Sequence, residues 1–482
     1  MRWLHSAGTV PTTEALMQRL RKAETFSRSE ELLLVTLLSL PAIIAQLAGV
    51  LMHYIDMAML GHLGSTEAAA VGLVSTTIWM FWGIGSAGIT GFHVLAGQKI
   101  GARDDAAVRS LMRESLLVTF LWGSVLAISG VLIASHLPFW LGANGAVATL
   151  ATEYFAIVIA AWPLTMVNFL ETGMLRISGN MKTPSMLGIA SCVLDVIFNA
   201  LFIFPSREMT LAGISFWVPG LGLGVAGAAW ATVLATAITL IASLWFACVK
   251  SEHLAIFGRS GSFIPRLAEL SKSLKIGVPV SAQRIMMSGA QIISTMIVAP
   301  LGTVSLVAHS FALTVESLCY MPGYGIREAA TTLCAQTVGA GHHRRAKRIG
   351  GVTIVVGMLV MSFMGLVMFL AAEPIMSSMT PDKEVVALGS FILRIEAFAE
   401  PMFAASIVAY GCFLGAADTL VPSAMNLFSM WIVRLPLAFW LSQSMGLVGV
   451  WIAMCLELFF RGGIFLFRFL RGSWLKTRIE TR

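Results

Sequence analysis

Residues that constrain the backbone recur in this chain at a fixed distance of 238 positions. Pro41 meets Pro279, Gly64 meets Gly302, Gln98 meets Gln336 and Gly101 meets Gly339. Further on, Pro163 meets Pro401, Gly173 meets Gly411 and Pro184 meets Pro422, all on the same ungapped offset. Proline and glycine mark places where a chain bends or where backbones approach closely. Their coincidence over about 140 residues means two copies of one folding unit.

The apolar runs say what that unit is. The 482-residue chain is 57% hydrophobic and 12% charged, against about 25% charged in soluble domains. Its mean hydropathy is +0.83. The runs are continuous rather than alternating, which indicates an all-α, polytopic membrane protein and not a β-barrel. The pattern predicts twelve spans, at 31–61, 66–98, 108–136, 148–175, 185–205, 222–249, 274–299, 303–338, 348–372, 384–413, 419–441 and 446–470. Each copy then holds six helices. Six is even, so both copies enter the membrane from the same side and form a parallel repeat.

Charge sets the orientation. Lys99, Arg103, Arg109, Arg113, Arg176, Lys182, Lys250, Arg259, Arg266, Lys272, Lys275, Arg344, Arg345, Lys347 and Arg348 fall on one side, and the tail adds Arg471, Lys476, Arg478 and Arg482. The other side holds only Arg207 and Lys383. The positive-inside rule then places both termini in the cytoplasm, with the chain in the plasma (inner) membrane. The net charge of +7 reflects these loops and not a nucleic-acid footprint. The expected organisation is a cytoplasmic segment 1–30, including Arg2, Arg19, Arg21, Lys22 and Arg28, and a first lobe 31–250. A cytoplasmic linker 251–273 with Gly258, Gly261 and Pro265 leads to a second lobe 274–470 and a basic tail 471–482. Two like lobes joined by a linker suit alternating access, and their shared cavity makes a monomer sufficient.

Charged groups inside spans are costly, roughly 2.5–3.5 kcal/mol on the mildest scale, and are functional by default. In the first lobe Asp56 lies near the end of span 1. Asp195 and Asn199 share one face of span 5 at i, i+4 spacing, and Thr232 lies in span 6. Their depths, roughly 7–15 Å from the outer surface, let them converge. Two carboxylates, an amide oxygen and a hydroxyl are hard ligands for Na⁺. Carboxylates held together in a low dielectric equally take up a proton. Each residue also has a plainer reading, as a helix-end or interhelical hydrogen bond. In the second lobe Gln283, Arg284, Glu316, Glu396, Glu400 and Arg434 form either a substrate-cavity cluster or a set of structural ion pairs. Glu457 with Arg461, one turn apart, reads as a structural pair. Arg284 and Arg434 are the only deep arginines on this reading. Pro41 supplies a bend in span 1.

Catalytic motifs are missing, so no enzyme is expected. The six cysteines show no CxxC spacing. Cofactors are expected to be none, apart from Na⁺ or H⁺ as the coupling ion. The partners expected are the lipid bilayer and small organic substrates, with no nucleic acid, and the 27 methionines supply adaptable apolar surface for them.

The stretches IDMAMLGHLG, AGQKIGA with its repeat AQTVGAG, RISGNMKTP, VLDVIFNALFIF, GVAGAAWAT and VRLPLA occur in this order between about 30 and 470. Together they resemble the multidrug and toxic compound extrusion (MATE) family. The resemblance implies a secondary antiporter that exports organic, often cationic, compounds in exchange for Na⁺ or H⁺. It maps the family's first-lobe cation site onto Asp56, Asp195, Asn199 and Thr232. Some members carry Asn and then Asp on helix 5; here the order is Asp195, then Asn199. NorM-type members carry acids on helices 7 and 10 where this chain has Met287 and Phe403, so the ion site looks DinF-like. The alternatives are a flippase for lipid-linked or polysaccharide precursors, which would want a more cationic groove, and a non-transporting scaffold.

Overall fold

The computed structural model describes residues 12–476 apart from 23, 25, 212, 213 and 260. Arg2, Arg478 and Arg482, and the side chains of Arg207 and Lys476, lie outside the described residues. A short amphipathic helix α1 (Thr13–Arg21) precedes α2 (Arg28–Gly61). A capping box starts α2: the Glu30 amide donates to Ser27 Oγ and the Ser27 amide to Glu30 Oε2. Then come α3 (Ser65–Gly101), α4 (Asp105–Ala134), the four-residue α5 (Leu137–Trp140), α6 (Gly145–Ala160), α7 (Trp162–Ile177) and α8 (Lys182–Phe202). An antiparallel hairpin, β1 (Pro205–Leu211) and β2 (Ile214–Leu221), leads into α9 (Gly224–Trp245). The second half comprises α10 (Leu267–Val298), α11 (Thr303–Gly339), α12 (His343–Met379), α13 (Lys383–Glu396), α14 (Glu400–Gly415), α15 (Leu420–Phe428) and α16 (Leu435–Arg471).

These elements make twelve crossings. α6 and α7 form one span bent by 48°, and α13 and α14 another bent by 57°. Both bends fall just before the repeat-related Pro163 and Pro401. The run Leu420–Arg471 is 52 residues long, which at 1.5 Å per residue is more than twice the ~30 Å hydrocarbon thickness. Gly446, at φ 58° and ψ −138°, breaks it into the last two spans. α10 starts at Leu267, so its helix extends into the expected linker. That connection is anchored: Arg113 Nη2 donates to the carbonyl of Arg259 at 2.8 Å, and Arg266 Nε to Glu114 Oε1 at 2.8 Å.

The fold is two lobes, each with its own core. Phe92, Phe155, Trp162 and Met166 fill the first. Met361, Trp451 and Met454 fill the second. Across the seam α2 packs on α11 and α3 on α10. The offset of 238 carries α2 onto α10 and α3 onto α11, so these two contacts are repeats of one another.

At the face that carries the basic loops the seam is held by a pair of matching hydrogen bonds. Gln98 Nε2 donates to the Gly415 carbonyl at 3.1 Å, and Gln336 Nε2 to the Ile177 carbonyl at 2.6 Å. Both donors and both acceptors are related by the same offset, so one bond is made twice. A Cβ on Gly101 would fall 2.0 Å from the Gln336 carbonyl oxygen, and a Cβ on Gly339 2.0 Å from that of Gln98. Only glycine permits this approach.

α1 sits over the closed seam. Leu16, Met17 and Leu20 are fully buried, in one cluster with Met181 of the first lobe and Ala329, Leu333 and Ile349 of the second. Arg21 Nε donates to Gln336 Oε1 at 2.9 Å, Nη1 to His253 Nε2 at 2.8 Å and Nη2 to the Ser178 carbonyl at 3.3 Å. A guanidinium has no acceptor. His253 therefore accepts at Nε2 and donates from Nδ1 to Asp105 Oδ1, 2.8 Å away. Burial lowers the Arg21 pKa, and the carboxylates of Glu252, Asp105 and Glu14 work against that shift.

Candidate functional site

The i, i+4 spacing on α8 puts Asp195 and Asn199 on one inward face, 0% and 1% exposed. The Asn199 amide donates to Asp195 Oδ2 at 2.8 Å and to Asp56 Oδ1 at 2.9 Å. One side chain thus ties two carboxyls from α2 and α8 together. Thr232 of α9 adjoins Asp195, while its hydroxyl donates to the Ala228 carbonyl at 3.2 Å. Tyr154 of α6 and Cys192 lie against both acids. Asp195 Oδ1 and Asn199 Oδ1 are buried and accept no hydrogen bond from the protein. Buried acceptors are normally satisfied. Two orphaned oxygens beside a pair of carboxyls suit a small cation or a proton. The four expected residues of the first lobe therefore do meet.

The second-lobe cluster divides. Gln283 and Arg284 line a central cavity of about 700 Å³ between the lobes. Glu316, Glu396, Glu400 and Arg434 are not in its lining. They are buried behind Phe403, within electrostatic reach of one another. Of the two alternatives, the ion-pair reading fails for these residues: among the described residues neither Arg284 nor Arg434 forms an ion pair with Glu396 or Glu400. The pairing of Glu457 and Arg461 holds: Arg461 Nε and Nη2 each donate at 2.7 Å, and Ser429 donates to the same carboxylate. All four carboxyl oxygens of Glu396 and Glu400 lack hydrogen-bond partners.

The cavity is walled by aromatic rings from both lobes, among them Trp79, Trp82, Phe169, Tyr324, Phe403 and Tyr410. Thr76, Trp79 and Ile292 lie toward the ends of α3 and α10 remote from the glutamine seam, so the cavity opens away from the basic face. Arg284 and Arg434 are not the only deep arginines of the spans: Arg461 is buried as well, and Arg176, Arg284, Arg327 and Arg461 line the cavity while Arg434 does not. Sequence reasoning put Arg176 in a basic loop, although it lies in the last turn of α7. It passed over Arg327 and Glu328, a charged dipeptide twelve residues from the end of the 37-residue α11, which was signal enough.

A family comparison matches the MatE model to this chain twice, over residues 41–201 and 279–440. The second match starts 238 residues after the first, on the offset already described. This chain belongs to the MatE family. Among its relatives are the probable multidrug resistance protein NorM of Thermotoga maritima, 27% identical over 92% of this chain and 93% of that protein, and the probable multidrug resistance protein YoeA of Bacillus subtilis, 26% identical over 91% and 92%. A multidrug resistance MATE family transporter of the MOP superfamily, solved in an outward-facing conformation, superimposes with a TM-score of 0.86 at 21% identity, covering 97% of this chain and all of that one. That likeness confirms twelve spans in two lobes. As a MATE protein the chain is a multi-pass membrane protein, and members of the family are ion-coupled. Met287 and Phe403 both line the cavity.

Proposed function

We propose that this protein is a secondary antiporter that exports small organic compounds, with Asp56, Asp195, Asn199 and Thr232 binding the coupling ion, Na⁺ or H⁺. The observation that carries the reading is the Asn199 bridge between two carboxyls, with two buried oxygens left over. The names of the relatives support multidrug export and give the flippase reading no footing. The basic face is the cytoplasmic one, so both termini are cytoplasmic, the membrane is the inner membrane, and the cavity opens outward. A monomer suffices, because both walls come from one chain. Gln283 and Arg284 contact the substrate. Glu316, Glu396, Glu400 and Arg434 support the second lobe behind them.

Coupling runs through packing. α2 carries Asp56 near one end and Pro41 within it, where the helix lacks a backbone donor. Next to Pro41, Ile43 lies against Gly325 of α11, close enough that a Cβ there would be 2.6 Å from the Ile43 nitrogen. Gly325 neighbours Tyr324 and Arg327 in the cavity wall. An ion entering the acid pair repacks α2, α11 follows, and the cavity loses its grip on the cargo. Lobes 31–250 and 274–470 then rock about the 251–273 connection. By linkage the cargo weakens ion binding to the same degree.

The test is dye export from proteoliposomes under an imposed Na⁺ gradient and, separately, an imposed pH gradient. Acceleration by one gradient, abolished in Asp56→Asn with normal insertion, is the expected result and names the ion. Undiminished gradient-driven export in Asp56→Asn would sink the assignment.

A further inference from the structure

The charge of the cavity is out of keeping with a cationic cargo. Besides the Glu457-paired Arg461, three arginines reach it from three helices: Arg176 at the inner end of α7, Arg284 midway along α10 and Arg327 two-thirds of the way along α11. Among the described residues Glu328 is the only carboxylate in that lining, and it is held by Arg327 at 3.1 Å, while Arg461 is neutralised by Glu457 outside the lining. Arg327 also stacks over the Tyr324 ring at 4.6 Å. Among the described residues, Arg176 and Arg284 have no carboxylate within ion-pair distance. The cavity floor therefore carries an excess of two positive charges.

Arg284 is the most telling of the three. A guanidinium presents five N–H donors, yet here one long contact, 3.4 Å from Nη1 to Ser86 Oγ, is its hydrogen bond to the protein. An arginine near mid-membrane without a counter-charge is costly. A structural role would come with a partner, as it does for Arg461. The acids that would attract a cation are elsewhere: Asp56 and Asp195 lie outside the cavity lining, and the glutamates of the second lobe sit behind Phe403. Met287 and Phe403, which do line the cavity, are apolar.

We propose that the cargo of this cavity is an amphiphilic organic anion of drug size, with its carboxylate, sulfonate or phosphate seated between Arg284 and Arg176 and its apolar body against the aromatic walls. Guanidinium groups match such oxyanions with paired hydrogen bonds. A cavity of about 700 Å³ falls within the range that encloses a drug-sized ligand. The proposal rests on the export reading above and narrows it to one charge class.

The experiment uses the full chain in proteoliposomes under the ion gradient that drives it, with two dyes of one ring system and opposite charge, sulforhodamine B and rhodamine 6G. Preferential export of sulforhodamine B is expected, with apparent affinity reduced about thirtyfold or more in Arg284→Gln, as for loss of a buried charge partner. Arg284→Lys, which keeps the charge but not the paired hydrogen bonds, should lose clearly less affinity than Arg284→Gln. Preferential export of rhodamine 6G, unaffected by Arg284→Gln, would overturn the anion assignment and leave the exporter reading standing. Equal losses in the Lys and Gln variants would overturn the electrostatic role of Arg284. Gradient-driven export of neither dye would overturn both readings.

Discussion

Arg21 holds α1 in the seam, and removing it should let α1 lift off. Three donors are lost in Arg21→Ala, to Gln336, His253 and the Ser178 carbonyl. A hydrogen bond to a charged group contributes about 1.5–3 kcal/mol. Against this, alanine releases the cost of burying a guanidinium that is 9% exposed. Gln336 also keeps its own bond to Ile177. A net of about 2–3 kcal/mol in favour of the seated helix is a reasonable balance, which raises the unseated population roughly 30- to 150-fold. Met17, 1% exposed against Gly179, is the reporter. In Met17→Cys protein, labelling by a membrane-impermeant maleimide from the cytoplasmic face measures the open fraction, with the parent chain setting the background of its six cysteines. Labelling should quicken by that factor when Arg21→Ala is added. Equal rates with and without Arg21 would refute the reasoning.

Asn199→Ala leaves Asp56 and Asp195 without their shared donor, and ion-driven export should fall at least tenfold while insertion is normal, measured by dye efflux and fluorescence size-exclusion. Gly101→Val drives a side chain into the Gln336 carbonyl, so the seam should fail to close and cytoplasmic labelling of nearby engineered cysteines should rise. Glu457→Gln removes one side of a buried two-bond pair, and should cost about 3–5 kcal/mol, visible as a lowered Tm of the detergent-solubilised protein. Gln98→Ala and Gln336→Ala, tested singly, should open the seam to similar extents because they break repeated copies of one bond, but Gln336→Ala should be the more severe because it also loses Arg21.

Much of this fold could be read from the sequence because a membrane enforces simple rules. Helices must be long and apolar, so the spans were visible, and the basic residues grouped in alternate loops. The duplication survived in prolines and glycines because these serve backbone geometry rather than side-chain chemistry. Asp56, Asp195 and Asn199 could be paired because helical periodicity and depth are both fixed by residue number. Orientation about each helix axis could not be read, since it depends on packing partners distant in the sequence. This is why Glu316, Glu396 and Glu400 looked equivalent to Arg284 and yet lie behind the cavity wall. Arg176 was hidden by its position, one turn inside a helix whose end resembles a loop. The β1–β2 hairpin could not be read because its strands do not alternate and lie in the connection between two apolar spans. The reversal at Gly446 has no charged residue beside it to mark it.

The seat of α1 also fixes an order of events. Gln336 follows Arg21 by 315 residues and Ser178 by 158. At the usual rate of about 5–20 residues per second, the ribosome adds Gln336 roughly 16–60 s after Arg21. α1 therefore leaves the ribosome ahead of all the spans and finds its place after them. Until the second lobe is inserted, Leu16, Met17 and Leu20 have no cleft to enter, and the nascent chain carries an apolar stripe that must lie on the bilayer surface or be held by a chaperone. A large fusion at the N-terminus acts at this late step: insertion of the spans goes ahead, and what suffers is the final docking that closes the cytoplasmic side.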